Sequence, residues 1–180
     1  MKIFSCNYNP NLSFGLKPVL NCSLKNKEQA VAYETEDTKE DAKFLQELCD
    51  KYHDKFFFLK KDRKFDLTRD KIFILKDKNE VPIAYAKCRQ LGGAMQIDFL
   101  SSRADIKNQG AGTALMAGIA QSAINHKMDS IIVNNPDGAW AFYYRCGFRT
   151  NDDITELNAK STRQQERTMS DLIRRVKAKL

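Results

Sequence analysis

Apolar and polar positions change their period several times along the chain, and each change marks an element. Residues 1–27 are rich in Asn, Pro, Ser and Lys and hold no sustained period. They read as a flexible or loosely attached basic arm, with a short strand near Lys2 to Ser5. Gln29 to Glu34 sets Val31 and Tyr33 on one face and reads as a first strand. Thr38, with Asp41 three residues on, reads as a helix start. Phe44, Leu45, Leu48, Cys49 and Tyr52 then follow at helical spacing to about His53. Phe56 to Phe58 and the basic segment Lys60 to Lys64 fit no single period.

The middle of the chain is clearer. Lys71 to Lys76 is a strand, Asp77 to Glu80 a turn, and Val81 to Gln90 a second strand. Pro82 stands at the start of that strand, where a missing N–H is tolerated. Gly92-Gly93 makes the next turn, and Ala94 to Ser102 is a third strand. Short turns between strands imply an antiparallel meander. A helix over Gly112–His126 follows, with Leu115, Met116, Ile119, Ala120, Ala123 and Ile124 on one face. The strand Asp129–Asn134 after it is expected to lie parallel to its predecessor, because a helix separates them. Gly138 to Arg145 is a short helix ended by Gly147. A strand from Asp153 to Leu157 comes next. The last segment reads as a helix over Met169 to Lys179, or as a final strand over Glu166 to Leu172. The fold class is α/β, a mixed, mostly antiparallel sheet flanked by helices. Residues 28–180 form a single domain behind the arm of residues 1–27.

Composition changes this picture little. No apolar run approaches the roughly 18 residues that span a bilayer, and the amino terminus has no apolar core of a secretory signal. Five cysteines, at 6, 22, 49, 88 and 146, form no CxxC or His-spaced set. Free thiols in a reducing cytoplasm fit them, and no metal site is implied. The net charge of +7 sits at the ends. Residues 1–27 carry four Lys and no acid, and residues 160–180 carry seven basic and two acidic side chains. Basic ends without interleaved aromatics read as solvated surface, so nucleic acid is not an expected partner.

Candidate chemistry begins at Lys107-Asn108-Gln109-Gly110-Ala111-Gly112-Thr113, between a strand and a helix. Glycines at such a turn let a ligand approach the backbone, and the helix start presents unpaired N–H groups to an anion. The segment is not a P-loop, which needs Gly-x-x-x-x-Gly-Lys-Ser/Thr. It is not a dinucleotide fingerprint either, because Leu115 stands where the third small residue belongs. A second segment, Ala139-Trp140-Ala141-Phe142-Tyr143-Tyr144-Arg145-Cys146-Gly147-Phe148, follows the apolar strand Ile131-Ile132-Val133. Together the two segments resemble the GNAT superfamily of acyl-CoA-dependent N-acyltransferases. Its first motif is Arg/Gln-x-x-Gly-x-Gly/Ala, met here from Lys107 to Gly112 with Lys in the first place. Its second is Ala-x-x-Phe-Tyr-x-x-x-Gly-Phe, met by Ala139, Phe142, Tyr143, Gly147 and Phe148. The resemblance is clear over residues 71–148, extends toward residue 30, and does not include the first 27.

The resemblance implies a GNAT-like sheet, splayed between the strand before the glycine loop and the next parallel strand, and acetyl-CoA as co-substrate. Lys107, Asn108, Gln109, Gly110, Ala111, Gly112 and Thr113 would hold its diphosphate. Freed amides of Leu100, Ser101 and Ser102 would meet the pantetheine and the thioester carbonyl. Tyr143 would face the departing sulfur, since a phenol stays protonated at neutral pH. A base is expected on the strand before the loop. The usual place falls on Gln96, which cannot act as one, and Asp98 lies two residues on, on the same face. Asp98 as base, as acceptor ligand or as a structural partner all stay open. Many relatives carry an Asn three residues before the motif Ala. Pro136 stands there, which makes the neighbouring Asn135 the candidate for the pantetheine arm. Trp140 reads as core, with lining the pocket as its alternative, and His126 as a favourable contact with a helix C-terminus. The acceptor is an amine on a small molecule or a protein, and the enzyme a monomer or homodimer. The competing reading is a binding module on the same fold, for acyl-CoA or nucleic acid, without catalysis.

Overall fold

A computed structural model of the chain describes residues 16–35, 70–103, 109–134, 138–151, 154–162 and 167–178. The expected strand near Lys2 to Ser5, the helix from Thr38 to His53, and the segments Phe56 to Phe58 and Lys60 to Lys64 lie outside these residues.

Within them, β1 (Leu16–Ser23), β2 (Gln29–Thr35), β3 (Asp70–Asp77), β4 (Pro82–Leu91) and β5 (Ala94–Ser102) pair in sequence as an antiparallel meander. The turns explain the pairing. Asp77 Oδ1 accepts from the N–H groups of Asn79 at 2.8 Å and Val81 at 2.9 Å, closing the β3–β4 connection through its own side chain. Helix α1 (Ala111–Asn125) then carries the chain back, so β6 (Ser130–Val133) lies parallel to β5. Helix α2 (Trp140–Cys146), β7 (Arg149–Asn151), β8 (Ile154–Asn158) and helix α3 (Met169–Val176) complete the described chain. The sheet order is β1-β2-β3-β4-β5-β6-β8-β7, with β6–β8 and β7–β8 antiparallel.

The arm expected over residues 1–27 is corrected in its second half. Leu16–Ser23 is the edge strand, paired from Leu16↔Thr35 to Ser23↔Gln29. Its alternation is broken because the register jumps between Pro18 and Leu20. An edge strand tolerates both the proline and the bulge. Strand β7 was not expected from the sequence. Of the two readings of the last segment the helix is the one observed. Thr168 and Asp171 make a reciprocal capping box, with Asp171 Oδ2 accepting from the Thr168 N–H at 3.0 Å.

The main core lies between one sheet face and α1. Phe73, Leu75, Ala84, Ala86 and Cys88 project from the sheet to meet Leu115, Met116, Ile119 and Ala123. Helix α1 is buried on more than the single face that the sequence suggested, because α3 packs along it with Met169, Leu172 and Ile173. The other sheet face carries Ile72, Ile74 and Tyr85, also buried. Among the described residues no helix is long and apolar enough to cross a membrane.

One feature of the sheet sets up the site. Pairing between β5 and β6 runs only from Ala94↔Ser130 to Ile97↔Val133, while β5 continues to Ser102. The last residues of β5 therefore have no β6 partner, which is the gap expected next to the glycine loop.

Candidate active site

Helix α1 starts on Gly110, whose φ of 86° and ψ of 8° lie in the left-handed region that glycine adopts at little cost. The first intrahelical bond runs from the Ala114 N–H to the Gly110 carbonyl at 2.9 Å. The N–H groups of Ala111, Gly112 and Thr113 consequently have no partner within the helix. The first turn holds no acidic residue and no side chain caps it. This is an electropositive end open to an anion.

Gly112 is where the expected segments meet. A Cβ there would lie 3.3 Å from Phe142 Cε2 and 3.6 Å from Leu100 Cδ2. The α1 start, the unpaired end of β5 and the α2 motif thus touch across a residue with no side chain. Thr113 lies next to the Cys146 side chain, where α1 meets α2. Gln109 lies beside this point, and its carbonyl accepts from the Lys25 N–H at 3.0 Å. Lys107, Asn108 and Asn135 lie outside the described residues.

A bulge in β5 shapes the other side. Cys88 pairs with Ile97 but Lys87 pairs with Phe99, so Asp98 is the extra residue. The bulge resets the alternation expected from sequence. Gln96, Asp98 and Phe99 now share one face, and Leu100 turns to the α1 face. With Asp70, Lys87, Arg89 and Asn134 they line a cavity of about 410 Å³. Asp98 is gripped on both oxygens: Arg89 Nε donates to Oδ2 at 2.8 Å, and an Arg89 terminal nitrogen donates to Oδ1 at 2.8 Å. Gln96 Nε2 also donates to Oδ1, at 3.0 Å. Lys87 and Asp70 form a second, more deeply buried pair at 2.9 Å. Arg89 was missed in the sequence. Counting the hairpin register back from the Gly92-Gly93 turn places it opposite Gln96, one diagonal step from Asp98.

Tyr143 sits in α2 with only 6% of its surface exposed. Phe142 and Phe148 pack against its ring edge-on, at centroid distances of 5.1 and 5.3 Å. Its hydroxyl makes no hydrogen bond among the described residues. Burial pushes its pKa up to about 12, and the nearby thiols of Cys88 and Cys146 add to the shift. A buried phenol with no partner is the sort of orphaned donor that a ligand atom satisfies. Tyr144 faces away. It is 49% exposed, with Arg149 over its ring at 4.3 Å and Trp140 at 5.7 Å. Trp140, expected in the core, is 41% exposed because the short helix turns it outward beside Tyr144.

Cys22, Cys88 and Cys146 are buried free thiols. Burial pushes Cys22 and Cys146 up to about 12 and raises Cys88 as well. His126 follows the end of α1, with Nδ1 2.9 Å from the Ser122 carbonyl. Among the described residues no group of His, Cys, Asp and Glu has the arrangement of a metal site.

The family model for "Acetyltransferase (GNAT) family" matches residues 33–148. A solved acetyltransferase of the GNAT family from Staphylococcus aureus Mu50 is similar at 15% identity. That match covers 72% of this chain and 99% of that one, with a TM-score of 0.51. Tetrahymena GCN5 is similar at 14% identity, covering 67% of this chain and 89% of that one, also at 0.51. The match to an IAA acetyltransferase from Bacillus cereus ATCC 14579 is shorter. At 20% identity and a TM-score of 0.42 it covers 48% of this chain and 59% of that one, less than two thirds of its length. No curated protein matches the chain significantly. At these identities the solved structures bear on the fold. The family match takes in β5, the glycine segment and the α2 motif together, over more than half of the sequence, and this chain belongs to the GNAT acetyltransferase family.

Proposed function

We propose that the chain transfers an acetyl group from acetyl-CoA to a primary amine by direct attack of the amine on the thioester. The observation that carries this reading is the meeting of three groups around Gly112. They are the open N–H groups at the start of α1, the stretch of β5 without a β6 partner, and α2 with the unpartnered Tyr143 hydroxyl.

Gln109, Gly110, Ala111, Gly112 and Thr113 receive the diphosphate on backbone N–H groups, with Lys107 and Asn108 completing the loop. Along Leu100, Ser101 and Ser102 the N–H groups alternate: that of Ser101 faces β4, and those of Leu100 and Ser102 face the open side, where they can donate to the pantetheine and to the carbonyl oxygen as it gains charge. Donors fixed before the reaction cost no reorganisation at that moment. Asn135 is kept as a ligand of the pantetheine arm. Tyr143 meets the departing sulfur. A phenol near pKa 12 holds its proton more tightly than a thiol of ordinary pKa about 8.5, so full transfer to a thiolate is uphill. Tyr143 therefore acts as a hydrogen-bond donor to the thiolate, and the proton that finally neutralises it comes from the attacking amine by way of solvent.

Asp98 fits the base role poorly. Arg89 and Gln96 already occupy both of its oxygens. We assign it to the wall of the acceptor pocket, with Arg89, Lys87 and Asp70, where a paired-charge lining suits a polar amine. Small-molecule and protein amines both meet this description. The buried free thiols support a reducing compartment, the cytoplasm.

The test has two steps. Acetyl-CoA should raise the melting temperature, and mass spectrometry of an amine library incubated with enzyme and acetyl-CoA should show an added acetyl group. Binding without any acetylated amine would favour the non-catalytic module. No melting shift at millimolar acetyl-CoA would reject the co-substrate itself.

A further inference from the structure

Two cations from outside the family-matched segment converge on the glycine loop. Lys25 lies in the β1–β2 turn, and Arg175 lies in α3. The Lys25 backbone is docked on the loop through its N–H to the Gln109 carbonyl. Its side chain runs across Gly110, with Cγ 3.1 Å from the place a Cβ would take there. Arg175 approaches from the other side. Its terminal nitrogens donate to the Arg145 carbonyl at 3.1 Å and the Cys146 carbonyl at 3.1 Å, which fixes the guanidinium over the end of α2. Lys25, Gly110, Thr113 and Arg175 share a cavity of about 300 Å³ at the start of α1. Neither cation has a carboxylate in salt-bridge contact among the described residues.

A cavity between two cations and an uncapped helix start favours a compact polyanion. A guanidinium with two of its five N–H donors spent on carbonyls keeps a fork for phosphate oxygens, and a lysine beside it adds a mobile point charge. We infer that Lys25 and Arg175 are phosphate ligands, and that they clamp the nucleotide-diphosphate end of coenzyme A from the two flanks of the family segment. The inference rests on the reading of acetyl-CoA as co-substrate. It also gives the strand β1 and the helix α3 a part in the site. Residues 1–32 and 149–180 lie outside the family match, yet the β1–β2 turn and α3 close over its loop.

The experiment compares two probes by calorimetry with the full chain: acetyl-CoA, and S-acetylpantetheine, which has the thioester arm and no phosphate. Lys25→Gln and Arg175→Gln should each weaken acetyl-CoA binding by about tenfold, the size of one charge-assisted hydrogen bond. Binding of S-acetylpantetheine should be unchanged, and the tenfold loss should shrink at high salt. Arg175→Gln also removes two bonds to α2, so its melting temperature is measured alongside. Lys25→Gln loses no side-chain bond among the described residues and keeps the test sound if the arginine variant folds poorly. A parent that binds acetyl-CoA with variants that bind it equally well overturns the clamp alone. Equal weakening toward both probes also overturns it, as a structural effect. A parent that binds no acetyl-CoA overturns the clamp and the co-substrate assignment together.

Discussion

Tyr143→Phe should stabilise the protein and slow it. The hydroxyl is buried with the ring, has two thiols nearby, and has no hydrogen-bond partner among the described residues. Burying an unpartnered hydroxyl costs roughly 1–3 kcal/mol. Phenylalanine keeps the edge-on contacts with Phe142 and Phe148 and removes that cost. At about 2–4 °C per kcal/mol for a chain of this size, the melting temperature without ligand should rise by a few degrees. Turnover should move the other way. A hydrogen bond to a charged sulfur contributes about 1.5–3 kcal/mol, and each 1.36 kcal/mol is a factor of about ten. The maximal rate should therefore fall by about 10- to 150-fold, with acetyl-CoA affinity little changed, because the contact forms as charge reaches the sulfur. The raised pKa argues against the larger loss of about 10²–10⁴ expected when a full general acid is removed.

Both halves are measurable on one pair of variants. Scanning fluorimetry gives stability, and release of free thiol from acetyl-CoA, with an acceptor or with water, gives the rate. Tyr144→Phe is the control, since that ring points about 100° away and is half exposed. The pH dependence adds a third reading. The phenol ionises near 10 when unfolded and near 12 when folded, so the folded state keeps its proton longer. Ionisation of this group therefore leaves stability unchanged below pH 10 and lowers it as the pH rises from 10 to 12. Loss of its proton should leave the rate unaffected below pH 10. A Tyr143→Phe variant that melts lower than the parent and turns over normally would refute the reasoning, and would make Tyr143 a packing residue with a satisfied hydroxyl.

Three further outcomes follow from the same geometry. Gly112→Asp should abolish the melting shift given by acetyl-CoA, which is about 2.7 kcal/mol at a hundredfold excess over Kd. The new Cβ presses on Phe142 and the carboxylate faces the diphosphate, and a retained shift would move the anion site elsewhere. Asp98→Asn should raise the acceptor KM several-fold with a smaller change in kcat, because it loosens Arg89 in the pocket wall. A collapse of kcat together with loss of the acid limb of the pH profile would make Asp98 the base after all. Cys22, Cys88 and Cys146 should resist alkylation in the folded protein at pH 8 and react on unfolding, as shown by peptide mapping. Burial raises their folded pKa values, so their contribution to stability is intact below pH 9 and declines as the pH rises above it.

How much of this was legible follows from what each signal depends on. The meander from β3 to β5, the helix after the glycines and the parallel strand beyond it rest on local period and turn chemistry, and Asp77 and Gly92-Gly93 state both within a few residues. The glycine segment and the α2 motif were legible as patterns because both lie within a few residues of one strand–helix turn and one short helix. The edge strand β1 was not found, because a bulge between Pro18 and Leu20 breaks its alternation and its partner lies across a turn with no glycine. Asp98 shows the same limit inside the site. Its residue type suggested a base, and only the register of a neighbouring strand shows that Arg89 already holds it. Lys25 and Arg175 carry no signal at all in one dimension. They lie 150 residues apart at two basic ends that read as solvated surface, and they become a pair only because β1 is stitched to β2 while α3 packs along α1. A charge excess spread over two termini is thus not evidence of two free tails. Where Lys25 and Arg175 reach one helix start, the salt dependence of acetyl-CoA binding is the quantity that tells a shared phosphate site from separate solvated charges.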